Sequence, residues 1–320
     1  MIDVAVARHY IEDVQASSVY RTATITPAMS GSNSLFMGQI GDWTWEAVSA
    51  ISGTNVLTAR NATGAPTYLA FYYFHIKASA SMHLGSLSFG DHIDVTSTLF
   101  NFGSESILTL HKIRTASAGE PDFAPIDCAD FYENPEDQCI YVENFNRWVA
   151  RSREHSNEDL VKSSPAEFRY MHLPVLPEAY SPRHVYNYAR SHHTFLDNSA
   201  LGYSLANDEF YIEYPIDITR DINAVGLVYF AAYFAIVDWA VLQLWRHLRR
   251  PDESFLKRII LDQKLCYLGN ADIHAVLGIR VQLWKHPRDP HKEIFNVVIQ
   301  DRASVRVIAV CTIEMLAEGK

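Results

Sequence analysis

ITRDINAVGLVYFAAYFAIVDWAVLQLW, residues 218–245, is the stretch of sequence that decides the fold. It opens with a polar turn at residues 221–226 and continues into an apolar run of 14 residues. Such a run is too short to cross a membrane and is typical of a helix that is buried on nearly every side. Alanines alternate with aromatic residues along it, as a helix requires when a curved sheet wraps closely around it. The pattern predicts a buried helix over residues 224–248, with Ala231 and Ala235 against the sheet.

A second copy of this arrangement is present in the first half of the chain. A strand-like segment and a turn rich in Ser, Gly and Asn precede LFMGQIGDWTWEAV, residues 35–48. Ile25 and Ile218 are 193 positions apart, and so are Leu35 and Val228. One constant offset carries strand, turn and helix start together, which indicates an internal repeat, although chance similarity between two α+β segments is the competing interpretation.

The polar turn and the helix after it resemble the hot-dog fold, in which an antiparallel sheet wraps a long central helix and the turn meets an acyl thioester. Together with the repeat, the resemblance implies an α+β protein with a double hot-dog fold, that is, two tandem hot-dog units. We place the N-terminal unit at residues 1–165, including an acidic connecting segment over 119–138, and the C-terminal unit at 166–320. The two sheets are expected to pair edge to edge, because pairing removes exposed strand edges.

Strand patterns fill both units in a similar order. In the first unit, runs rich in β-forming residues predict strands over 66–76, 91–99 and 104–114, and a short helix with surface arginines is expected within 140–162. In the second unit, strands are expected over 209–219, 255–267, 274–284, 294–301 and 305–314.

Composition limits the classes of function. The chain has 320 residues and a net charge of −10, which argues against a nucleic-acid partner because such a partner needs a basic face. Binding of an acidic carrier protein would need a local basic patch. The four cysteines form neither a disulfide framework nor a metal-binding spacing, and the N-terminus, MIDV, lacks the pattern of a signal peptide. We therefore expect a cytoplasmic protein that has no membrane segment.

Several well-known catalytic motifs are missing from the sequence. GSLSFG, residues 85–90, is one residue out of phase with a nucleophile elbow and leads into a strand rather than a helix. There is no dinucleotide-binding glycine motif, no phosphate-binding loop and no HExxH zinc motif. His192 and His193 are adjacent in a loop, and no other histidine pair has the helical spacing of metal ligands, so no metal site is predicted.

The first half carries a more particular resemblance. Residues 34–45 (SLFMGQIGDWTW), 66–74 (PTYLAFYYF) and 83–91 (HLGSLSFGD) resemble the double hot-dog family of bifunctional acyltransferase/decarboxylases in polyketide biosynthesis, to which the leinamycin pathway contributes a member. The similarity extends over most of the chain. It implies a protein that takes methylmalonyl-CoA, acylates itself on a tyrosine, passes the acyl group to an acyl carrier protein and decarboxylates it to propionyl.

By its position on the strand after the first helix, the family resemblance places the acyl-accepting tyrosine at Tyr68. A phenol with a pKa near ~10 needs a base or a positive field to act as a nucleophile, and the sequence identifies no such partner. Tyr72 and Tyr73 therefore remain alternatives. We expect Tyr68 to line a cleft with its hydroxyl near the N-terminus of the first helix, where the helix dipole favours phenolate.

Helix N-termini supply the second part of the expected chemistry, because their free N–H groups stabilise negative charge on a thioester carbonyl oxygen. In the first half, the oxyanion and substrate site is expected at Asn33, Met37, Gly38 and Gln39. In the second half, the matching N–H groups belong to residues 226–229, and Asp221 or Asn223 is expected to touch the acyl group. Asp221 is equally suited to a plain helix-entry role.

The sequence thus predicts an enzyme that acts on acyl-CoA thioesters, a methylmalonyl-CoA acyltransferase/decarboxylase that delivers propionyl to an acyl carrier protein. No cofactor is expected beyond coenzyme A, which arrives as part of the substrate. An acyl-CoA or acyl-carrier thioesterase that uses Asp221 and a water is the competing enzyme. A non-catalytic protein that binds acyl chains or the carrier is the third hypothesis. A homodimer is compatible with the sequence, and neither nucleic acid nor a membrane is expected as a partner.

Overall fold

A twelve-stranded antiparallel sheet and two long helices form the frame of the described part of the chain. The structure, a computed structural model, describes residues 11–31, 33–116, 125–153, 156–157, 160–196 and 202–317. The helices are α1 (Asn33–Ser52), α2 (Cys128–Tyr132), α3 (Pro182–His192), α4 (Phe230–His247) and α5 (Asp252–Leu256). The strands are β1 (Ile11–Gln15), β2 (Ser18–Thr24), β3 (Tyr68–Lys77), β4 (His92–Asn101), β5 (Ser106–Thr115), β6 (Cys139–Arg151), β7 (Leu160–Lys162), β8 (Ser204–Pro215), β9 (Ile259–Tyr267), β10 (Val276–Lys285), β11 (Lys292–Asp301) and β12 (Val307–Leu316).

The sheet is continuous across the two halves of the chain. Its strand order is β1-β2-β4-β5-β6-β3-β9-β12-β11-β10-β8, with β7 paired to β6. The halves meet at a seam where residues 73–77 of β3 pair antiparallel with residues 262–266 of β9. The predicted double hot-dog fold, with its two sheets joined edge to edge, is therefore confirmed. The division of the chain between residues 165 and 166 stays a prediction.

The two long helices lie on the same face of the sheet. Side chains alternate between the two faces of a strand, so on β5 Ile113 packs with the core that contains α1 and α4, while Leu110 packs on the opposite face. That opposite face is covered near the seam by α2 and α3, which contribute Phe131 and Ala189. The first face holds the main core and one side of the cleft described below.

α1 and α4 touch directly through small residues. A Cβ built on Gly41 would lie 2.1 Å from the ring of Phe230, and a Cβ on Gly38 would lie 3.9 Å from the Cβ of Ala231. The two helices therefore approach more closely than larger side chains would allow. Ala231 is buried at this contact with α1, whereas the sequence predicted a contact with the sheet, and Ala235 is half-buried.

The helix of the second half begins later than predicted. α4 starts at Phe230, and the residues before it form a turn in which Ala224 and Val225 are exposed. The N–H of Asn223 donates to the carbonyl of Leu227 at 2.9 Å, which closes the turn and keeps these residues out of the helix. Within the described residues, no helix is both long enough and apolar enough to span a membrane.

The short helix predicted within 140–162 is wrong, because β6 occupies most of that range. β6 lies between β5 and β3, so both of its edges are hydrogen-bonded. Its side chains are buried on both faces, which removes the polar alternation by which a strand is usually detected. The acidic segment over 119–138 connects β5 to β6 within the first unit and contains α2, and its residues 119–124 lie outside the described part of the chain.

A group of charged side chains crosses the seam on the face covered by α2 and α3. His75 Nε2 lies 2.8 Å from an oxygen of Asp262, and His75 Nδ1 lies 3.6 Å from an oxygen of Glu143. The Tyr132 hydroxyl donates a hydrogen bond to Glu143 at 2.7 Å. Burial alone would raise the pKa of Asp262, but His75 and Lys264 outweigh it and lower that pKa. The ionised Asp262 therefore helps to hold the two halves together.

We expect Asp262→Asn to destabilise the protein by about 1 kcal/mol at neutral pH, because the amide loses the charge attraction to Lys264 and the hydrogen bond between the carboxylate and His75. The folded pKa of Asp262 is lower than its unfolded value of about 3.9, so the stabilisation is complete above that pH and is lost as the pH falls below it. Urea unfolding at pH 7 and pH 3 should show that the difference in free energy of unfolding between wild type and variant is smaller at pH 3. An unchanged difference would contradict this role of the Asp262 charge.

Candidate active site

A cleft of about 390 Å³ opens beside the seam, where β9 turns away from β3. Pairing between these strands stops at Tyr73, so residues 68–71 pair with β6 alone, Tyr72 falls at an irregularity in that pairing, and the other edge of residues 68–72 faces the cleft. The turn before α4 and the residues after β9 form the opposite wall, so both halves of the chain build the cleft. Its aromatic lining consists of Trp45, Tyr68, Phe71, Tyr72, Tyr229, Phe230, Tyr233 and Tyr267.

Aromatic rings from both halves pack against one another along the cleft. The ring centroids of Phe71 and Phe230 are 4.1 Å apart, and the ring of Trp45 lies 5.8 Å from that of Phe230. The indole N–H of Trp45 also donates to the carbonyl of Leu69 at 3.1 Å, which fixes its ring in the wall. An apolar lining of this kind strengthens electrostatic interactions with any charge that develops inside the cleft.

Two asparagines on the cleft wall fix the turn before α4. Asn223 Oδ1 accepts hydrogen bonds from the N–H groups of Val225 and Leu227, at 3.1 and 3.0 Å. Asn270 holds Val228 from both sides, since its Oδ1 accepts from the N–H and its Nδ2 donates to the carbonyl, each at 3.1 Å. Asn223, which the sequence predicts to touch the acyl group, thus lies in the wall with its amide oxygen bonded to the backbone.

Asp221 is buried beneath this turn and is not among the residues that line the cleft in the described structure. Its carboxylate accepts hydrogen bonds from the Tyr214 hydroxyl at 2.8 Å, the Asp217 N–H at 2.9 Å and Arg220 at 3.2 Å. Burial and the bond to Asp221 raise the pKa of Tyr214 to about 12. The carbonyl of Asp221 also accepts from the N–H of Tyr229 at 2.8 Å. Asp221 thus fixes the turn that leads into α4 and does not cap the helix, whose N-cap residue is Tyr229.

The first turn of α4 borders the cleft and offers backbone N–H groups. The N–H groups of residues 226–229, predicted for an oxyanion, already donate within the protein. Their acceptors are, in chain order, Asn223 O, Asn223 Oδ1, Asn270 Oδ1 and Asp221 O. The N–H groups of Phe230 and Ala231 open the helix, where no intrahelical acceptor exists, and the positive end of the helix dipole adds to them. Of the two residues only Phe230 lines the cleft, so its N–H is the one of this half that is suited to an oxyanion.

Tyr68 is half-buried and lines the cleft at the start of β3. Among the described residues, none forms a hydrogen bond with its hydroxyl. Tyr72 also lines the cleft, whereas Tyr73 is fully buried on the face covered by α2 and α3, where burial raises its pKa well above the ordinary value. Ala70 lies midway between Tyr68 and Tyr72 on β3, and Arg147 of β6 is paired with it. A ligand in the cleft can therefore reach Tyr68 and Tyr72.

The four residues predicted to form an oxyanion site on α1 are not among the described residues that line the cleft. Met37 is fully buried in the core, and Asn33 donates to a side-chain amide of β9 at 2.7 Å. Gln39 is half-buried. Gly38 does allow a close approach, but the group that approaches is Tyr229, whose hydroxyl lies 3.3 Å from the position that a Cβ on Gly38 would take.

The sequence analysis did not identify Trp45 and Asn270 as residues of the cleft, and of Tyr229 it considered only the backbone N–H and not the side chain. Burial, reinforced by Asp42, raises the pKa of Tyr229 to about 12, so its hydroxyl stays protonated at neutral pH. Trp45 lies inside the 34–45 segment that carries the family resemblance, and Asn270 lies in a glycine turn before a strand. Both residues thus lie in segments that stand out in the sequence, but nothing in the sequence shows that the two segments meet in one cleft.

His111 is a histidine of the core and not of the cleft. It is fully buried between Thr44 and Ser97, whose hydroxyls lie 2.9 and 2.8 Å from its two ring nitrogens. Burial lowers the pKa of His111 to about 3, so the ring is neutral. Across the described part of the chain, no three His, Cys, Asp or Glu side chains form a group that could hold a metal ion.

Comparisons with known proteins bear on this architecture. The sequence model of the LnmK N-terminal Hot Dog Fold domain matches residues 20–197. An acyl-ACP thioesterase from Bacteroides thetaiotaomicron VPI-5482 has a TM-score of 0.57 at 8% identity, over 93% of this chain and 97% of that one. The 12:0-ACP thioesterase from Umbellularia californica has a TM-score of 0.54 at 12% identity, over 95% and 98%. Both structures share the fold. No curated protein matches the sequence.

Proposed function

This chain belongs to the LnmK hot-dog family, and from that premise we propose that it is an acyltransferase/decarboxylase of acyl thioesters. The proposed substrate is methylmalonyl-CoA, and the propionyl product is delivered to an acyl carrier protein in polyketide biosynthesis. The observation that carries the proposal is the position of Tyr68 in an apolar cleft that the N-terminus of α4 also borders. One cavity thus contains a nucleophilic oxygen and a positive helix end.

In the first step, the Tyr68 oxygen attacks the thioester carbonyl of methylmalonyl-CoA and a C–O bond forms. The carbonyl oxygen becomes an oxyanion, which the N–H of Phe230 and the positive end of the α4 dipole stabilise. The C–S bond then breaks, and coenzyme A leaves as the thiol with the proton that the phenol gave up. The product is a methylmalonyl ester on Tyr68, and the helix end supplies the positive field that a phenol needs in order to react.

Decarboxylation breaks the bond between Cα and the carboxylate carbon of the bound acyl group. The electron pair moves into an enolate, whose oxygen occupies the same position near the start of α4, and carbon dioxide leaves. A proton added at Cα gives propionyl. The aromatic lining favours this step, because a carboxylate is poorly solvated among Phe71, Phe230 and Trp45. The thiol of the carrier's pantetheine arm then takes the propionyl group, and the phenol regains its proton.

Intact-mass spectrometry with methylmalonyl-CoA tests the proposal. We expect the protein alone to gain the mass of an acyl group, and a holo acyl carrier protein added afterwards to gain the mass of propionyl while carbon dioxide is released. Free acid without carrier loading would contradict the proposal and indicate a thioesterase. The absence of any reaction would contradict it as well and favour a protein that only binds acyl chains or the carrier.

A further inference from the structure

Two arginines and two tyrosines form a cluster beside the cleft, and one of the tyrosines, Tyr72, lines the cleft wall. The guanidinium of Arg147 lies 4.3 Å from the ring centroid of Tyr72, and that ring lies 5.8 Å from the ring of Tyr186 on α3. Arg190 is exposed and lies four residues after Tyr186 on α3, so the two side chains are on the same face of that helix. We call Arg147, Arg190, Tyr72 and Tyr186 the arginine cluster.

No carboxylate neutralises Arg147 within the described residues. Its hydrogen bond goes to the Ser106 hydroxyl, at 3.4 Å, and no carboxylate in the described part of the chain forms an ion pair with it. Burial raises the pKa of Tyr186 to about 12, while Arg190 and Arg147 oppose this rise. A half-buried cation without an anionic partner is costly, and this one occurs in a chain whose net charge is −10. The cluster is therefore suited to an anion that comes with a ligand.

The position of the cluster indicates which anion this is. Tyr72 belongs both to the cluster and to the cleft wall, and it lies about 13 Å along β3 from Tyr68, at about 3.3 Å per residue. A ligand that extends along the cleft from Tyr68 to Tyr72 would have its reacting carbonyl at Tyr68 and its anion beside the Arg147 guanidinium, which lies over the Tyr72 ring. Thioesters of pantetheine have this layout, since the acyl group is at one end of an extended arm and a phosphate is at the other.

We propose that Arg147 and Arg190 bind the phosphate of the 4′-phosphopantetheine arm, which coenzyme A and holo acyl carrier proteins share. A planar guanidinium offers a fork of N–H donors that matches phosphate, and stacking on Tyr72 holds the Arg147 fork in one orientation. The site takes coenzyme A when the protein is loaded and the carrier arm when the acyl group is delivered. This inference rests on the proposed function, because it assumes that the cleft takes pantetheine thioesters.

Calorimetric titration of the full chain with 4′-phosphopantetheine and with pantetheine measures how much the phosphate contributes to binding, because the two ligands differ only in that group. We expect the wild type to bind the phosphorylated arm at least about tenfold more tightly. In the variant Arg147→Gln/Arg190→Gln the ratio of the two affinities should fall close to one. Arg280→Gln removes an exposed arginine four strands from β3 and should keep the wild-type ratio. Arg190→Gln alone, on an exposed side chain, should lower the ratio in part and remains testable if the double variant fails to fold.

Equal affinity of the wild type for the two arms would overturn the proposal, and so would a ratio that survives in the folded variants. Coenzyme A and a holo carrier protein distinguish the sources of the phosphate. Both should bind the variants more weakly, whereas weakening for coenzyme A alone would assign the contact to its adenosine phosphates and overturn the proposal. These titrations need no turnover. A protein that binds the arm through its phosphate but transfers no acyl group would refute the proposed function and leave the phosphate site standing.

Discussion

Tyr68→Phe is expected to abolish self-acylation and to lower propionyl transfer to the carrier by at least about 10³-fold, the scale seen when an enzyme loses its nucleophile. The substitution removes one oxygen and keeps the ring that lines the cleft, so folding and binding of acyl-CoA should persist. Some decarboxylation of bound substrate should also persist, because the N–H of Phe230 and the N-terminus of α4 are unchanged. Intact mass, carrier loading and carbon dioxide release, followed in parallel, measure the three effects.

Two further tyrosine variants make this result specific. Tyr211→Phe removes an exposed phenol on β8 and should behave like the wild type in every assay. Tyr72→Phe tests the other tyrosine of the cleft that the sequence left as an alternative. If Tyr72→Phe prevents acylation while Tyr68→Phe still gains acyl mass, Tyr72 is the acceptor and the assignment of Tyr68 fails.

The fold could be predicted because its main determinants are local. The apolar run of the second half and its echo in the first half each specify a buried helix, and β-rich segments at similar spacing complete a sheet around each helix. The start of α4 was misplaced because residues 224–229 are apolar enough to continue the helix. They are held in a turn by Asn223 and by Asn270, and the second of these comes from a distant part of the chain. Side-chain hydrogen bonds between residues so far apart in the chain produce no periodic pattern in the sequence.

The candidate site was predictable only in part, for a related reason. The family resemblance led to Tyr68, and hot-dog chemistry led to a helix N-terminus. Which helix end borders the cleft depends on the point at which β3 and β9 stop pairing, and this is a property of the whole sheet. Residues of α1 were therefore favoured for the oxyanion, whereas the structure places the start of α4 at the cleft and contributes Trp45 from the middle of α1. The arginine cluster also depends on this arrangement, since it combines β6, β3 and α3.

The contact between the two long helices gives the second large expected effect. Gly41→Ala should destabilise the protein by about 1–3 kcal/mol, because the new Cβ would lie 2.1 Å from the ring of Phe230. That ring cannot retreat freely, since it packs against Phe71 at 4.1 Å and Trp45 at 5.8 Å. A Gly→Ala change inside a helix would otherwise stabilise it by about 1 kcal/mol through helix propensity, so a net loss must come from the contact.

Urea unfolding of Gly41→Ala beside Ala50→Gly separates these two contributions. Ala50 is exposed on the same helix, so its replacement by glycine should cost about 1 kcal/mol and reports the propensity effect alone. Because Phe230 also lines the cleft, a ring displaced by Gly41→Ala should narrow the cavity and weaken binding of acyl-CoA in the molecules that remain folded. A variant more stable than the wild type would contradict this prediction, because it would show that a Cβ on Gly41 does not meet the ring of Phe230. The contact of Gly41 on α1 with Phe230 on α4 would then not be what positions the Phe230 ring in the cleft wall.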